Sequence, residues 1–146
     1  MSNDLYHEQI IERAKRSDNN IRLENPDCSA TVSNPLCGDR ITVELKMEGD
    51  VIKAISGPVK GCVLCKASAS ILAEIAVGMK CDELKSMASD LGQALKSQAD
   101  NNESFPKAYR MFYPVKKHKS RHSCVMLPLE GALKAISECK GHSGDK

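Results

Sequence analysis

The sequence predicts an α+β domain, and three observations carry that reading. An alternating apolar run breaks at a turn and then resumes, apolar residues recur at helical spacing on either side of it, and aromatic residues make up only 3% of the chain, with no Trp. The alternation is Ile41, Val43, Leu45 and Met47 against Thr42, Glu44 and Lys46. Glu48-Gly49-Asp50 interrupts it before Val51 to Ile55 completes a hairpin. A core built from Leu, Ile, Val, Ala and Met suits a modest helical layer better than a large sandwich. At 146 residues the chain fits one domain, expected to span residues 1–146 with 1–4 and 140–146 disordered, and it can bury a core without disulfides.

The other elements follow in order. Leu5, Ile10, Ile11 and Ala14 predict an amphipathic helix over about Asp4 to Arg16. Asn19, Asn20, Asn25 and Pro26 mark a connector, and a short strand over Cys28 to Ser33 runs to a turn at Asn34-Pro35, which leads into Cys37-Gly38-Asp39. After the hairpin, Gly57-Pro58 ends the second arm. Gly61-Cys62 then opens a loop into an Ala/Ser/Leu/Ile-rich helix over Lys66 to Val77, stopped by Gly78. Asp82 is positioned to cap a helix carrying Leu84, Met87, Leu91 and Leu95, weakened by Gly92 and ending in the polar run before Pro106. A basic loop from Lys107 to Ser123 precedes Cys124. Pro128 is placed in the first turn of a last helix, roughly Leu129 to Cys139.

Charge and hydropathy narrow the function. Twenty-one basic and nineteen acidic residues leave a net charge of +2, too balanced for the basic footprint of a nucleic-acid binder. No apolar run approaches the roughly 18 residues needed to span a bilayer, and the N-terminal segment lacks the basic start and apolar core of a signal peptide, so a cytoplasmic protein is expected. Seven cysteines in such a compartment read as thiols or metal ligands rather than a disulfide framework.

Three of these cysteines, Cys37, Cys62 and Cys124, lie in loops beside regular elements, where distant ligands can be brought together. Soft thiolates bind zinc or iron, and Asp39, across Gly38 from Cys37, can supply a harder fourth ligand. A dithiol reading of Cys62-Val63-Leu64-Cys65 is weaker, since no thioredoxin-like βαβ frame surrounds it. Cys28, Cys81 and Cys139 are expected to be small buried hydrophobes, and His118 and His122 to be solvated in the basic loop.

Asn34-Pro35-Leu36-Cys37-Gly38-Asp39, Gly61-Cys62 running into Ala67-Ser68-Ala69-Ser70, and Arg121 ahead of Cys124 together resemble the IscU/SufU family of iron-sulfur cluster assembly proteins. Leu5-Tyr6 with Ile10-Ile11 is similar to its opening helix, and the resemblance runs from about Leu5 to Ile136. It implies a three-stranded antiparallel sheet with helices on one side and a metal site at one exposed end. It also implies Cys37, Asp39, Cys62 and Cys124 as ligands to Zn2+, or to Fe2+ or a transient [2Fe-2S] cluster. A SufS- or IscS-like cysteine desulfurase would supply persulfide sulfur, and downstream assembly or apo acceptor proteins would receive the product. Arg121 would stabilise thiolate or persulfide charge, and the basic stretch Lys116 to Arg121 would be either a docking patch for the desulfurase or a solvated loop.

Two branches remain open. The IscU scaffold branch usually places His directly before the last cysteine, whereas Ser123 stands there and His122 is one further back. The segment between Val77 and Cys124 resembles the insertion of the SufU branch, whose members are similar to zinc-bound sulfurtransferases, although these usually carry Lys where Ser123 stands. The resemblance therefore implies a zinc-dependent sulfurtransferase with Cys37 as nucleophile, or a non-enzymatic scaffold with Cys124 as first acceptor. Cys65 departs from the family pattern as a fifth thiol near the site. A closed, purely structural zinc domain is a third, weaker reading.

Overall fold

The computed structural model describes residues 8–16, 22–34, 38–97 and 105–143. Its elements are α1 (Glu8–Arg16), β1 (Cys28–Asn34), β2 (Asp39–Glu48), β3 (Val51–Ser56), β4 (Val59–Lys60), α2 (Val63–Ile75), α3 (Cys81–Lys96), two 3-10 segments (Lys107–Lys117 and Lys119–Arg121) and α4 (His122–Ser143). The expected hairpin is β2–β3, with Gly49 at φ +63° in its turn, where a side chain would be strained. β1 pairs antiparallel with the other edge of β2, from Cys28 opposite Leu45 to Asn34 opposite Asp39. The two-residue β4, which the sequence pattern does not reveal, pairs with β2 at Arg40 and Ile41, on the edge that β3 occupies further along.

Period-two alternation fixes which way β2 faces. Ile41, Val43 and Leu45 are buried, so Asp39, in step with them, is carried into the same helix-covered face at the strand's start. Those residues pack with Ala69 and Leu72 of α2 and with Ala132, Ala135 and Ile136 of α4. α4 lies close to the sheet at Gly131, where a Cβ would stand 2.8 Å from a Val43 methyl. On the far side of α2 a second cluster gathers Ile10 of α1, Leu91 and Leu95 of α3, and Tyr109, Phe112 and Val115. α1 is pinned to α2 by ion pairs from Arg13 (2.5 Å) and Arg16 (3.0 Å) to Glu74.

Four expectations are corrected. The region expected to be a basic loop is largely 3-10 helix, and Tyr109, Phe112 and Val115 recur every third residue, so one side of it is core while Lys107 and Lys117 are exposed. α4 begins at His122 rather than near Leu129 and continues through Ser143, which puts Pro128 inside it. Packing against the sheet and α2 outweighs the lost Pro128 N–H, which would otherwise have reached the Cys124 carbonyl. Lys80, not Asp82, is the N-cap of α3, and its N–H donates to Glu83 Oε1 at 2.8 Å. Finally, Cys28 and Cys139 form a disulfide instead of staying thiols, because β1 and α4 bring their Cα atoms to 5.0 Å, within the range a disulfide spans. Cys81 is a buried thiol, as expected. Among the described residues no helix is long and apolar enough to cross a membrane.

Candidate metal centre

Three elements deliver donors to one end of the sheet. β2 begins with Asp39, whose carboxylate is 1% exposed; Cys62 is the N-cap of α2; Cys124 is in the first turn of α4. Their ligand atoms all lie within 4.8 Å of one another. Donors around a tetrahedral ion with bonds of about 2.0–2.3 Å stand roughly 3.5–4 Å apart, so the thiols and carboxylate fit a zinc or iron site.

Asp39 is held in two ways. Its Oδ1 accepts the Cys62 N–H at 2.8 Å, and its Oδ2 lies 3.3 Å from Cys62 Sγ and accepts the thiol proton. A Cβ on Gly61 would overlap the Asp39 carboxylate, so glycine is what lets β4 pass this close to it. The Cys62 thiol is acidified to about 7, first by a hydrogen bond from Cys124 and then by the Cys65 N–H; burial and the Asp39 charge oppose this. A lowered thiol pKa raises the ionised fraction, which readies it for a cation or an electrophile.

Neighbouring contacts set the helix positions. Ser68 Oγ, fully buried on α2, donates to the Val125 carbonyl at 2.6 Å and locks together the two helices that carry Cys62 and Cys124. Asn34 Nδ2 donates to Ser123 Oγ at 2.5 Å and joins the end of β1 to the start of α4. These roles were not read from the sequence. The Ala67-Ser68-Ala69-Ser70 run was the available signal, since a hydroxyl among small buried residues must find a partner.

The other candidates are placed as follows. Cys37 lies outside the described residues. Cys124 is fully buried and Cys62 half-buried. Arg121, also half-buried, ends the second 3-10 segment just ahead of α4. Cys65 is buried in the core beside the sheet, and its side chain is not among the clustered donors. His122 Nε2 faces the carbonyls of Val115 and Lys116, each at 3.1 Å, so that nitrogen carries a proton and acts as a donor, and the ring is not the solvated one expected from a loop. His118 is exposed.

A small antiparallel sheet under helices, with two helix-borne thiols and a strand carboxylate converging at one end, defines a thiolate-carboxylate metal-binding α+β protein. Residues 5–141 match the NifU-like N terminal domain, and the chain belongs to that family of iron-sulfur cluster assembly scaffolds. It is 30% identical over 137 residues to the iron-sulfur cluster assembly scaffold protein IscU of Thermotoga maritima, covering 91% of this chain and 95% of that one. It is 22% identical over 138 residues to the zinc-dependent sulfurtransferase SufU of Bacillus subtilis, covering 94% of both. The crystal structure of a nitrogen-fixing NifU-like protein (N-terminal) from Brucella abortus superimposes with a TM-score of 0.86 at 30% identity, covering 96% of this chain and 97% of that one.

Proposed function

We propose that this protein accepts persulfide sulfur from a cysteine desulfurase at a zinc site formed by Cys37, Asp39, Cys62 and Cys124, and passes it to a downstream assembly or apo acceptor protein. The observation that carries this reading is the convergence of Asp39, Cys62 and Cys124, with a third cysteine, Cys37, two residues before Asp39 in the sequence. Asn34 and Asp39 are the last pair of the β1–β2 ladder. Cys37, two residues before Asp39, has its Cα within about 7 Å of that residue's by chain geometry alone.

Zinc bound there would keep the thiols ionised at neutral pH. The Cys37 thiolate attacks the outer sulfur of the desulfurase's cysteine persulfide. One S–S bond forms as the other breaks, the desulfurase cysteine leaves as a thiolate, and no electrons are gained or lost overall. Arg121, close in sequence to Cys124, is assigned to stabilise the anionic sulfur.

The alternative reading is a scaffold on which a [2Fe-2S] cluster is the cargo and Cys124 the first acceptor; the name of the Thermotoga relative supports it. The burial of Cys124 and the engagement of His122 Nε2 by backbone carbonyls favour the sulfurtransferase, because a fully buried thiol is a poorly reachable first acceptor and that His122 nitrogen is already committed as a donor. The test is anaerobic purification, metal analysis, and assay of cysteine desulfurase turnover with persulfidation of this protein followed by mass. Stoichiometric zinc, with desulfurase activation abolished by Cys37→Ala, supports the proposal. A labile iron-sulfur chromophore without activation, sensitive to Cys124→Ala, supports the scaffold.

A further inference from the structure

The two 3-10 segments, the C-terminal part of α3 and the first turns of α4 border a half-open cavity of about 1010 Å³. His122 and Ser123 line it and Cys124 follows them in sequence, yet none of the clustered donors Asp39, Cys62 and Cys124 is in its wall. Its charge is one-sided. Among the described residues, Lys96, Lys116, Lys117 and Lys119 line it against one carboxylate, Glu130, and none of the five forms an ion pair.

Lys116 is the decisive residue. Its Nζ is buried with no hydrogen-bond partner among the described residues. A buried ammonium without an acceptor is costly, and a fold retains one where an anion can complete it. The N-terminal end of a 22-residue helix is presented at the same wall through His122 and Ser123, and its dipole favours negative charge there. Beside these groups, Leu95, Met126 and Tyr113 add apolar surface to the lining. The volume is of the order that encloses an organic ligand, well beyond what a lone inorganic anion fills.

We propose that this cavity binds an organic anion with at least two negative charges, a polyphosphate or polycarboxylate on an apolar or aromatic body. Lys116 takes the buried charge, Lys117 and Lys119 hold the outer one, and the Tyr113 and Met126 wall takes the body. This site is independent of the metal centre.

The test is calorimetric titration of the full chain with ADP and with benzene-1,3,5-tricarboxylate, using inorganic phosphate as a small comparator. One-to-one binding of either organic probe is expected, weakening as salt is added. ADP alone would assign a phosphate ligand, and the tricarboxylate alone a carboxylate ligand. Lys116→Met, checked for folding by thermal melting, is expected to lose about tenfold or more in affinity. Should that variant misfold, Lys117→Gln with Lys119→Gln is the second probe, expected to lose several-fold. Absence of binding by both organic probes overturns the proposal, as does phosphate binding as tightly as they do, or affinity unchanged in a folded lysine variant. Cys62→Ser is expected to leave the titration within twofold, which separates failure of this site from failure of the metal reading.

Discussion

The two ends of the β1–α4 pair use cysteine in opposite ways. At one end, Asn34 of β1 meets Ser123 of α4, and the adjacent Cys124 joins Cys62 and Asp39 as a thiol in a polar cluster. At the other end, Cys28 of β1 is bonded covalently to Cys139 of α4. The difference is one of surroundings. Helix N-termini, backbone N–H groups and a carboxylate gather at the first end, where they favour ionised thiols and a cation. At the second, two sulfurs meet across a sheet–helix seam with core residues around them, and a crosslink is the stable outcome. One end gathers free thiols around a carboxylate and the other is fastened covalently.

Breaking the reactive end has the largest expected effect. Asp39→Ala or Cys62→Ala is expected to remove stoichiometric metal, measured by elemental analysis of anaerobically purified protein, while the fold persists by circular dichroism. Gly61→Ala, which pushes on the Asp39 carboxylate without deleting a donor, should weaken metal affinity by about 10–100-fold in a chelator competition. Metal affinity unchanged in all three variants would place the metal elsewhere.

Cutting the fastened end comes next. The disulfide joins residues 111 apart, so Cys28→Ser with Cys139→Ser is expected to cost about 4 kcal/mol in urea unfolding, and dithiothreitol should bring the wild-type protein to the same midpoint. If reductant leaves the wild-type midpoint where it was, the two cysteines are not crosslinked in solution. Between the two ends, Gly131→Ala forces a methyl against Val43 and is expected to cost about 1–3 kcal/mol. Ser68→Ala, which leaves the Val125 carbonyl short of a donor, should cost about 1–2 kcal/mol and loosen metal binding as α2 shifts on α4.

The smallest effect lies on β2 near the fastened end, where Glu44 stands opposite Ser29 and next to Leu45, the partner of Cys28. Glu44, buried on the strand, accepts from Arg22 at 2.7 Å and from the Leu23 N–H at 2.9 Å, and the Arg22 hydrogen bond holds its pKa below the ordinary carboxylate value. A carboxylate depressed in the folded state adds stability above its unfolded pKa and loses it as pH falls through the folded value. Glu44→Gln should therefore cost about 1 kcal/mol at pH 7, a difference that shrinks below about pH 4. A constant difference across that range would assign the effect to packing instead of charge.

The sequence by itself determined the α+β class, the β2–β3 hairpin, α2 and α3, because period-two and helical apolar spacing are local and survive without tertiary context. It also named Asp39, Cys62 and Cys124, since thiols at element boundaries are legible as residue type and position. It hid β4, which owes its existence to β2 lying beside it, and it hid the 3-10 segment, whose three-residue spacing of Tyr109, Phe112 and Val115 was masked by the basic residues around it and by Pro114. The early start of α4, with Pro128 inside it, ran against local propensity and was decided by packing. The Cys28–Cys139 bond, the Ser68 lock on α4 and the inward turn of His122 link residues or segments whose proximity only the folded chain creates. Pairings of that kind carry no local signal, because the energy that selects them is gained only once distant elements are already side by side.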